Sequence, residues 1–195
     1  MEKGGNILFC GVGGQGILLA SDITSAALLG AGFDVKKSEV HGMAQRGGAV
    51  VAHLRYGAKV YSPLIELGTA HMVVAFELLE SLRYLPYLNP ETKVIVNTQK
   101  ILPPSVTTGV ETYPEDVLER LGRAVPAVFP VDALAVAESL GEIRAVNMVL
   151  VGSLSSFLPV PENVFCDLIE KKVPKKFIAA NTEAFRRGRE IVKQK

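Results

Sequence analysis

The chain is poor in the residues that most specialised chemistries need. It has two cysteines in 195 residues, Cys10 and Cys166. Two isolated thiols cannot hold an iron–sulfur cluster, which typically takes four, and they lack the paired spacing of a zinc site. They also cannot build a disulfide framework, so a reducing compartment fits. Histidine is equally scarce: His41, His53 and His71 are too few and too scattered to read as a metal site. His53 and His71 fall in strand-like segments and read as satisfied core or sheet residues. An excess of one charge is missing too, with 21 Lys and Arg against 20 Asp and Glu, a net charge of +1. That balance argues against nucleic acid as a partner. No apolar run is long enough to span a bilayer and no apolar leader precedes residue 6, so the expectation is a soluble, cytoplasmic protein with no membrane contact. Repeats, low-complexity tracts and linkers are also lacking. Residues 1–195 therefore read as a single domain, long enough to bury a core.

What is present begins with Gly11-Val12-Gly13-Gly14-Gln15-Gly16. An apolar stretch, 7–10, precedes it, and a run of small and apolar residues, 17–31, follows. The order is strand, glycine turn, helix. Such a turn lets backbone N–H groups approach a phosphate at a helix N-terminus, where the dipole favours negative charge. Gly11, Gly13 and Gly16 would admit the ligand; equally, they could only make a tight strand-to-helix crossing. A dinucleotide site would want an acidic ribose anchor about twenty residues on. Asp34 begins the next predicted strand, while Glu39 lies nearer the required end. No lysine follows the turn as a P-loop requires.

A second concentration of functional residue types is the loop 41–48, with His41, Met43, Gln45 and Arg46 set between glycines. Arg46 could grip a carboxylate or phosphate with two parallel bonds, which lysine cannot reproduce. It could instead pair with a local carboxylate such as Glu39. His41 could shuttle a proton or be a surface residue. The third feature is Asn147, an amide inside the otherwise apolar run 145–152, which needs a hydrogen-bond partner. Ligand, neighbouring subunit and the glycine loop itself are all open as that partner.

The remaining pattern alternates strands and helices. Strands are predicted at 6–10, 34–40, 49–56, 71–76, 93–97 and 127–131, with Gly57-Ala58 turning a hairpin into 59–61. Helices are predicted at 16–31, 77–84, 114–123, 133–140, 145–158, 161–172 and 174–192. Pro130 demotes 127–131 to a sheet edge or a strand end, and Asp132 is the N-cap of 133–140, closed by Gly141. Helix 145–158 is apolar on most sides and must be buried or lie in an interface. The fold class is α/β: a three-layer α/β/α Rossmann-like sheet, mostly parallel, with an added β-hairpin. The glycine turn and the 41–48 loop both follow strands. Both should therefore lie on the carboxyl edge, where open sheets bind ligands.

Gly11-Val12-Gly13-Gly14-Gln15-Gly16, then Glu39 through Gly48, then Asn147-Met148-Val149-Leu150-Val151-Gly152, in that order, resemble the gamma-type domain of 2-oxoacid:ferredoxin oxidoreductases. The form of residues 41–48 is most similar to the beta subunit of indolepyruvate:ferredoxin oxidoreductases. Pyruvate-type relatives usually carry an acid-containing loop before Arg-Gly-Gly. The resemblance implies oxidative decarboxylation of a 2-oxoacid on thiamine diphosphate. Electrons would pass through 4Fe-4S clusters to ferredoxin, and the acyl group would go to coenzyme A. This chain lacks cluster cysteines and carries no evident thiamine-diphosphate motif. The implied cofactors would then sit on a larger thiamine-diphosphate and iron–sulfur partner subunit, leaving the isolated chain inactive and free of bound cofactor. No residue is assigned a catalytic or metal-binding role. Gly11, Gly13, Gly14, Gln15, Gly16, Arg46 and Asn147 are the candidate contacts to coenzyme A or to the partner. Two other readings stay open, an autonomous NAD(P)-binding oxidoreductase and a purely structural assembly subunit.

Overall fold

The computed structural model describes residues 4–42 and 48–193. Six strands form one sheet: β1 (Gly5–Val12), β2 (Asp34–His41), β3 (Ala49–Gly57), β4 (Met72–Ala75), β5 (Lys93–Asn97) and β6 (Ala127–Val131). Their order across the sheet is β2-β3-β1-β4-β5-β6. β1, β4, β5 and β6 pair in parallel, and β3 pairs antiparallel with both β1 and β2. Only β3 is therefore reversed, so the ends of β1, β2, β4, β5 and β6 share one carboxyl edge.

The helices are α1 (Ile17–Gly30), α2 (Glu80–Arg83), α3 (Pro104–Thr107), α4 (Val117–Ala124), α5 (Ala133–Ser139), α6 (Val146–Ser155), α7 (Glu162–Lys172) and α8 (Ile178–Lys193). α1, α5, α6, α7 and α8 pack on one face of the sheet, against Ile7, Phe9, Leu54 and Val74. α2 and α4 pack on the other, against Leu8, Cys10, Val73 and Val94. Alternate residues of β1 thus serve opposite cores, as the strand period demands. Full burial of each large aliphatic side chain contributes roughly 1.5–3 kcal/mol.

α6 is the innermost helix, with all ten residues buried. Its apolar sequence allows this, and Gly152 makes it possible at close range. A Cβ built on Gly152 would lie 1.9 Å from the Phe185 carbonyl oxygen on α8. Reciprocally, a Cβ on Gly188 would lie 2.0 Å from the Val149 carbonyl oxygen on α6. Ser153 completes the seam by donating its hydroxyl to the Gly188 carbonyl at 3.0 Å.

Most of the expected elements are present. Pro130 does stand on an edge strand, and Asp132 caps α5 by accepting from the Ala135 N–H at 3.0 Å. The hairpin is misplaced in the sequence reading. Gly57-Ala58 does not turn into a strand at 59–61, and residues 58–71 form no strand. Instead the antiparallel pair is β2 with β3, connected through 42–48. The physical reason is that the Val60 N–H, which a ladder would need, donates to the Asp34 carboxylate at 2.9 Å. The helix expected at 77–84 is a single turn, α2, because the Glu77 carboxylate accepts from the Glu80 N–H at 2.9 Å and the Leu78 N–H donates to the Gln99 carbonyl at 3.1 Å.

Candidate ligand site at the carboxyl edge

The glycine turn follows β1 on the carboxyl edge, as expected. Gly14 and Gly16 have φ of 101° and 75°, the left-handed region that favours glycine. α1 starts at Ile17 with no side-chain cap and no acidic residue in its first turn. Its leading N–H groups have no intrahelical acceptors and give that end a partial positive charge. The Gly13 N–H donates to the Gly48 carbonyl at 2.9 Å, so the end of the 41–48 loop is tied to the glycine turn. Arg46, Met43 and Gln45 lie outside the described residues.

Gln15 turns inward. Its Oε1 accepts from the Val12 N–H at 2.7 Å, and its Nε2 donates to the Phe76 carbonyl at 2.8 Å. Gly11, buried in β1, makes room for it, since a Cβ there would meet Gln15 Oε1 at 2.6 Å and Phe76 Cβ at 2.8 Å. α1 and α2 leave the ends of the neighbouring strands β1 and β4 toward opposite faces. This is the switch point where open sheets form a crevice. Gln15 bridges that crevice, and the open volume lies to the α1 side of it.

That volume is a cavity of about 500 Å³. Gly14, Gln15 and Gly16 form one wall. Gln99 and Ile101, just after β5, form a second. Glu142, Ile143, Arg144, Val146 and Asn147, running into α6, form a third. Phe177 and Asn181, at the start of α8, close it. Of the sequence-derived candidates, the structure brings Gly14, Gln15, Gly16 and Asn147 together here. Gly11 and Gly13 stand behind them in β1 and the turn.

Asn147 connects the walls. It is 5% exposed, and its Nδ2 donates to the Gly16 carbonyl at 3.4 Å. The glycine loop is thus one of its partners. Its Oδ1 is buried with no hydrogen-bond partner among the described residues. An unsatisfied buried acceptor costs about 1–3 kcal/mol, which a donor on an occupant of the cavity would recover.

Sequence reasoning passed over four contributors. Arg144 is exposed on the cavity lip, its guanidinium 6.0 Å from the ring centre of Phe177. Gln99 carries an amide into the cavity wall, its Oε1 accepting from Asn97 Nδ2 at 3.3 Å. Glu77 is 1% exposed and fixes that wall: its carboxylate accepts from the Ile101 N–H at 3.0 Å, the Tyr113 hydroxyl at 2.7 Å and the Glu80 N–H at 2.9 Å. Burial, and then the Glu77 hydrogen bond, raise the Tyr113 phenol above its usual range. None of the four sits in a recognisable motif. The available signals were the helix break at Gly141 before Arg144 and Pro174 before Phe177.

The acidic residues suggested as a ribose anchor are engaged elsewhere. Asp34 begins β2 at the opposite edge, where Lys36 and the Val60 N–H hold its carboxyl below the usual range. Glu39 pairs with Lys37 at 2.5 Å. Lys37 also pairs with Asp22, and the two carboxylates outweigh burial in setting its charge. The cysteines stand apart: Cys10 belongs to the core on one face of the sheet, and Cys166 packs against the other. Burial, with Glu80 and Glu77 nearby, pushes the Cys10 thiol well above its usual range, so it is no nucleophile. Among the described residues no three His, Cys, Asp or Glu groups could hold a metal ion. Cys10 and Cys166, the two thiols of the sequence, belong to different cores and do not fit the four-thiolate set of an iron–sulfur cluster. No helix of the described residues is long and apolar enough to cross a membrane.

Residues 6–191 match the family described as pyruvate ferredoxin/flavodoxin oxidoreductase. The chain belongs to that family. Within it, the chain is 42% identical over 187 residues to the indolepyruvate oxidoreductase subunit IorB of Archaeoglobus fulgidus, covering 94% of this chain and 92% of the relative. It is 38% identical to the same-named subunit of Thermococcus kodakarensis, over 97% of this chain and 96% of the relative. These relatives are subunits, and the chain stands with the subunits of 2-oxoacid oxidoreductases. Solved structures agree on the three-layer fold. A keto/oxoacid ferredoxin oxidoreductase gamma subunit from Geobacter sulfurreducens superposes with a TM-score of 0.72 at 20% identity, covering 97% of this chain and 99% of that one. The 2-oxoglutarate:ferredoxin oxidoreductase of Magnetococcus marinus, solved with 2-oxoglutarate, coenzyme A and succinyl-CoA, gives 0.79 at 23% identity. All of this chain is covered there, but only 32% of that polypeptide.

Proposed function

We propose that this chain, acting as one domain over residues 1–195, is the cofactor-free subunit of a cytoplasmic indolepyruvate- or arylpyruvate-type 2-oxoacid:ferredoxin oxidoreductase. The 2-oxoacid loses its carboxyl group as carbon dioxide, two electrons pass to ferredoxin, and the acyl group passes to the sulfur of coenzyme A. Thiamine diphosphate, which supplies the decarboxylation chemistry, and the 4Fe-4S clusters belong to a larger partner subunit. The observation that carries this reading is the 42% identity to an indolepyruvate oxidoreductase subunit along 94% of the chain.

The geometry supports a role for the carboxyl edge in holding coenzyme A, the partner, or both. The uncapped start of α1 and the open backbone at Gly14 offer donors to a phosphate. Arg46, two positions before Gly48 in the sequence, would supply a positive group. Asn147 supplies a buried acceptor at the same cavity. An autonomous dehydrogenase is less well supported, because Gln15 fills the switch-point crevice and neither Asp34 nor Glu39 is free to hold a ribose.

The test is anaerobic affinity purification of the chain from its native cells with whatever accompanies it. The expected companion is a large, cysteine-rich subunit, and the complex should reduce ferredoxin only with indolepyruvate or a related 2-oxoacid and coenzyme A. Recovery of the chain alone, binding NAD(P) by calorimetry, would overturn the reading. In the assembled enzyme, Arg46→Ala should raise the Michaelis constant for coenzyme A or the oxoacid, or weaken assembly.

A further inference from the structure

The net charge of +1 conceals an uneven distribution. Lys36, Lys37, Lys59, Arg83, Arg120, Arg123, Arg186, Arg187 and Arg189 all stand in ion pairs. By contrast, Lys171, Lys172, Lys175 and Lys176 are exposed around Val173 and Pro174, two residues of the cavity wall, and none of the four is in an ion pair among the described residues. Lys171 and Lys172 occupy the last turn of α7, where the helix dipole accounts for them. Lys175 and Lys176 lie in the following turn and have no such explanation.

Phe177 gathers two of the unpaired cations. The Lys176 ammonium is 4.6 Å from its ring centre and the Arg144 guanidinium 6.0 Å. Both Phe177 and Arg144 line the cavity. The ring therefore holds two like charges at the lip, each attracted to the aromatic face. The acidic lining residue, Glu142, directs its carboxylate to the backbone N–H of Arg144 at 3.1 Å, fixing the turn that presents the guanidinium.

We infer that Arg144 and Lys176, held against Phe177, recognise the phosphate groups of a multiply phosphorylated organic molecule whose body enters the cavity. This rests on the coenzyme A reading above and assigns residues to it. A small polyanion fits better than an acidic protein. A protein surface would touch the lip and leave about 500 Å³, walled by Leu19, Ile101, Leu134 and Phe177, unfilled. The molecule must also carry a hydrogen-bond donor. The partnerless Asn147 Oδ1 is an acceptor, and ionised phosphate offers it nothing. Two phosphate-reading cations at the mouth also make capture dependent on ionic strength.

The experiment uses the assembled enzyme, with Arg144→Gln and Lys176→Gln singly and together. Michaelis constants for coenzyme A, 3′-dephospho-coenzyme A, the 2-oxoacid and ferredoxin are measured at low and high salt. Phe177→Leu is a further variant that frees the cations without removing them. The double variant should raise the constant for coenzyme A on the order of tenfold, flatten its salt dependence and narrow the preference over the dephospho form. The constant for the oxoacid should stay. Phe177→Leu should move the same quantities in the same direction, and Lys171→Gln, at the helix end, should not. An unchanged constant for coenzyme A in an enzyme that still needs it overturns this assignment alone. A shift in the constant for ferredoxin instead marks a protein-docking surface and overturns it too. A wild-type complex that turns over without coenzyme A overturns this assignment together with the proposed function.

Discussion

Gln15 and Asn97 donate their side-chain amides to one acceptor, the carbonyl oxygen of Phe76, at 2.8 and 3.0 Å. Asn97 in turn accepts from the Ala133 N–H at 3.3 Å, at the start of α5. Three strand ends, β1, β4 and β5, are thereby joined at the switch point by two amides. The crevice that dinucleotide folds leave open is here a structural joint. The cavity is displaced toward α6.

Replacing Gln15 should therefore damage the fold before it damages any ligand contact. Gln15→Leu removes both bonds and strands the Val12 N–H, while the Phe76 carbonyl keeps Asn97 as its donor, at a cost of about 2 kcal/mol. Gln15→Glu keeps the acceptor for Val12 but sets a carboxylate against the Phe76 carbonyl, and should be at least as destabilising. Urea unfolding checks both, and wild-type stability in Gln15→Glu would mean that the joint carries nothing.

The seam between α6 and α8 should tolerate no added methyl group. Gly152→Ala and Gly188→Ala each drive a Cβ to about 2 Å from a backbone carbonyl oxygen, which no rotamer change relieves. A loss of roughly 3 kcal/mol or more is expected, at the upper end of overpacking costs. Thermal unfolding of either variant within a degree or two of wild type would contradict the close approach.

Gly16 and Asn147 should be energetically coupled. A Cβ on Gly16 would meet Asn147 Nδ2 at 2.5 Å, in a backbone conformation that already disfavours alanine by about 1 kcal/mol. Gly16→Ala should be strongly destabilising alone. Adding Asn147→Ala removes the two closest atoms, Nδ2 and Cγ, and leaves the 3.3 Å approach to the Cβ of residue 147 beside the backbone strain, so the double variant should lose less than the sum of the singles. Strict additivity in a double-mutant cycle would show that the two side chains do not meet.

His53 predicts how stability responds to acid. Burial lowers its pKa below the usual value, and its Nδ1 accepts from the Ile65 N–H at 3.2 Å, a bond that protonation breaks. The unfolded chain takes up the proton first as pH falls through about 6.5. The stabilisation is thus present above that pH and declines below it, toward the depressed folded value. Melting temperatures from pH 8 to 5 should fall in the wild type more than in His53→Gln, whose amide oxygen can still accept from Ile65. Parallel profiles would assign the acid sensitivity to other groups.

The strands and their carboxyl edge were readable because apolar runs alternate with turn residues, and because a glycine turn after a strand has few uses. Pro130 marked an edge, and Asp132 marked a cap, by local chemistry alone. The hairpin was not readable in the same way. Whether residues 59–61 extend a ladder depends on Asp34, 26 positions from Val60, capturing its N–H. The cavity shows the same division. Gly14, Gln15, Gly16 and Asn147 announced themselves by motif or by polarity in an apolar run. Arg144 and Phe177 became neighbours only through the packing of the turns that precede α6 and α8, which no short-range pattern encodes.

The glycine seam has one further consequence. α6 delivers Asn147 to one wall of the cavity and α8 delivers Asn181 to another, and the two helices touch backbone to backbone at Gly152 and Gly188. Opposite walls are thus braced like the cheeks of a casting mould. An occupant meets a shape already made, and little of its binding free energy is lost to ordering the protein around it.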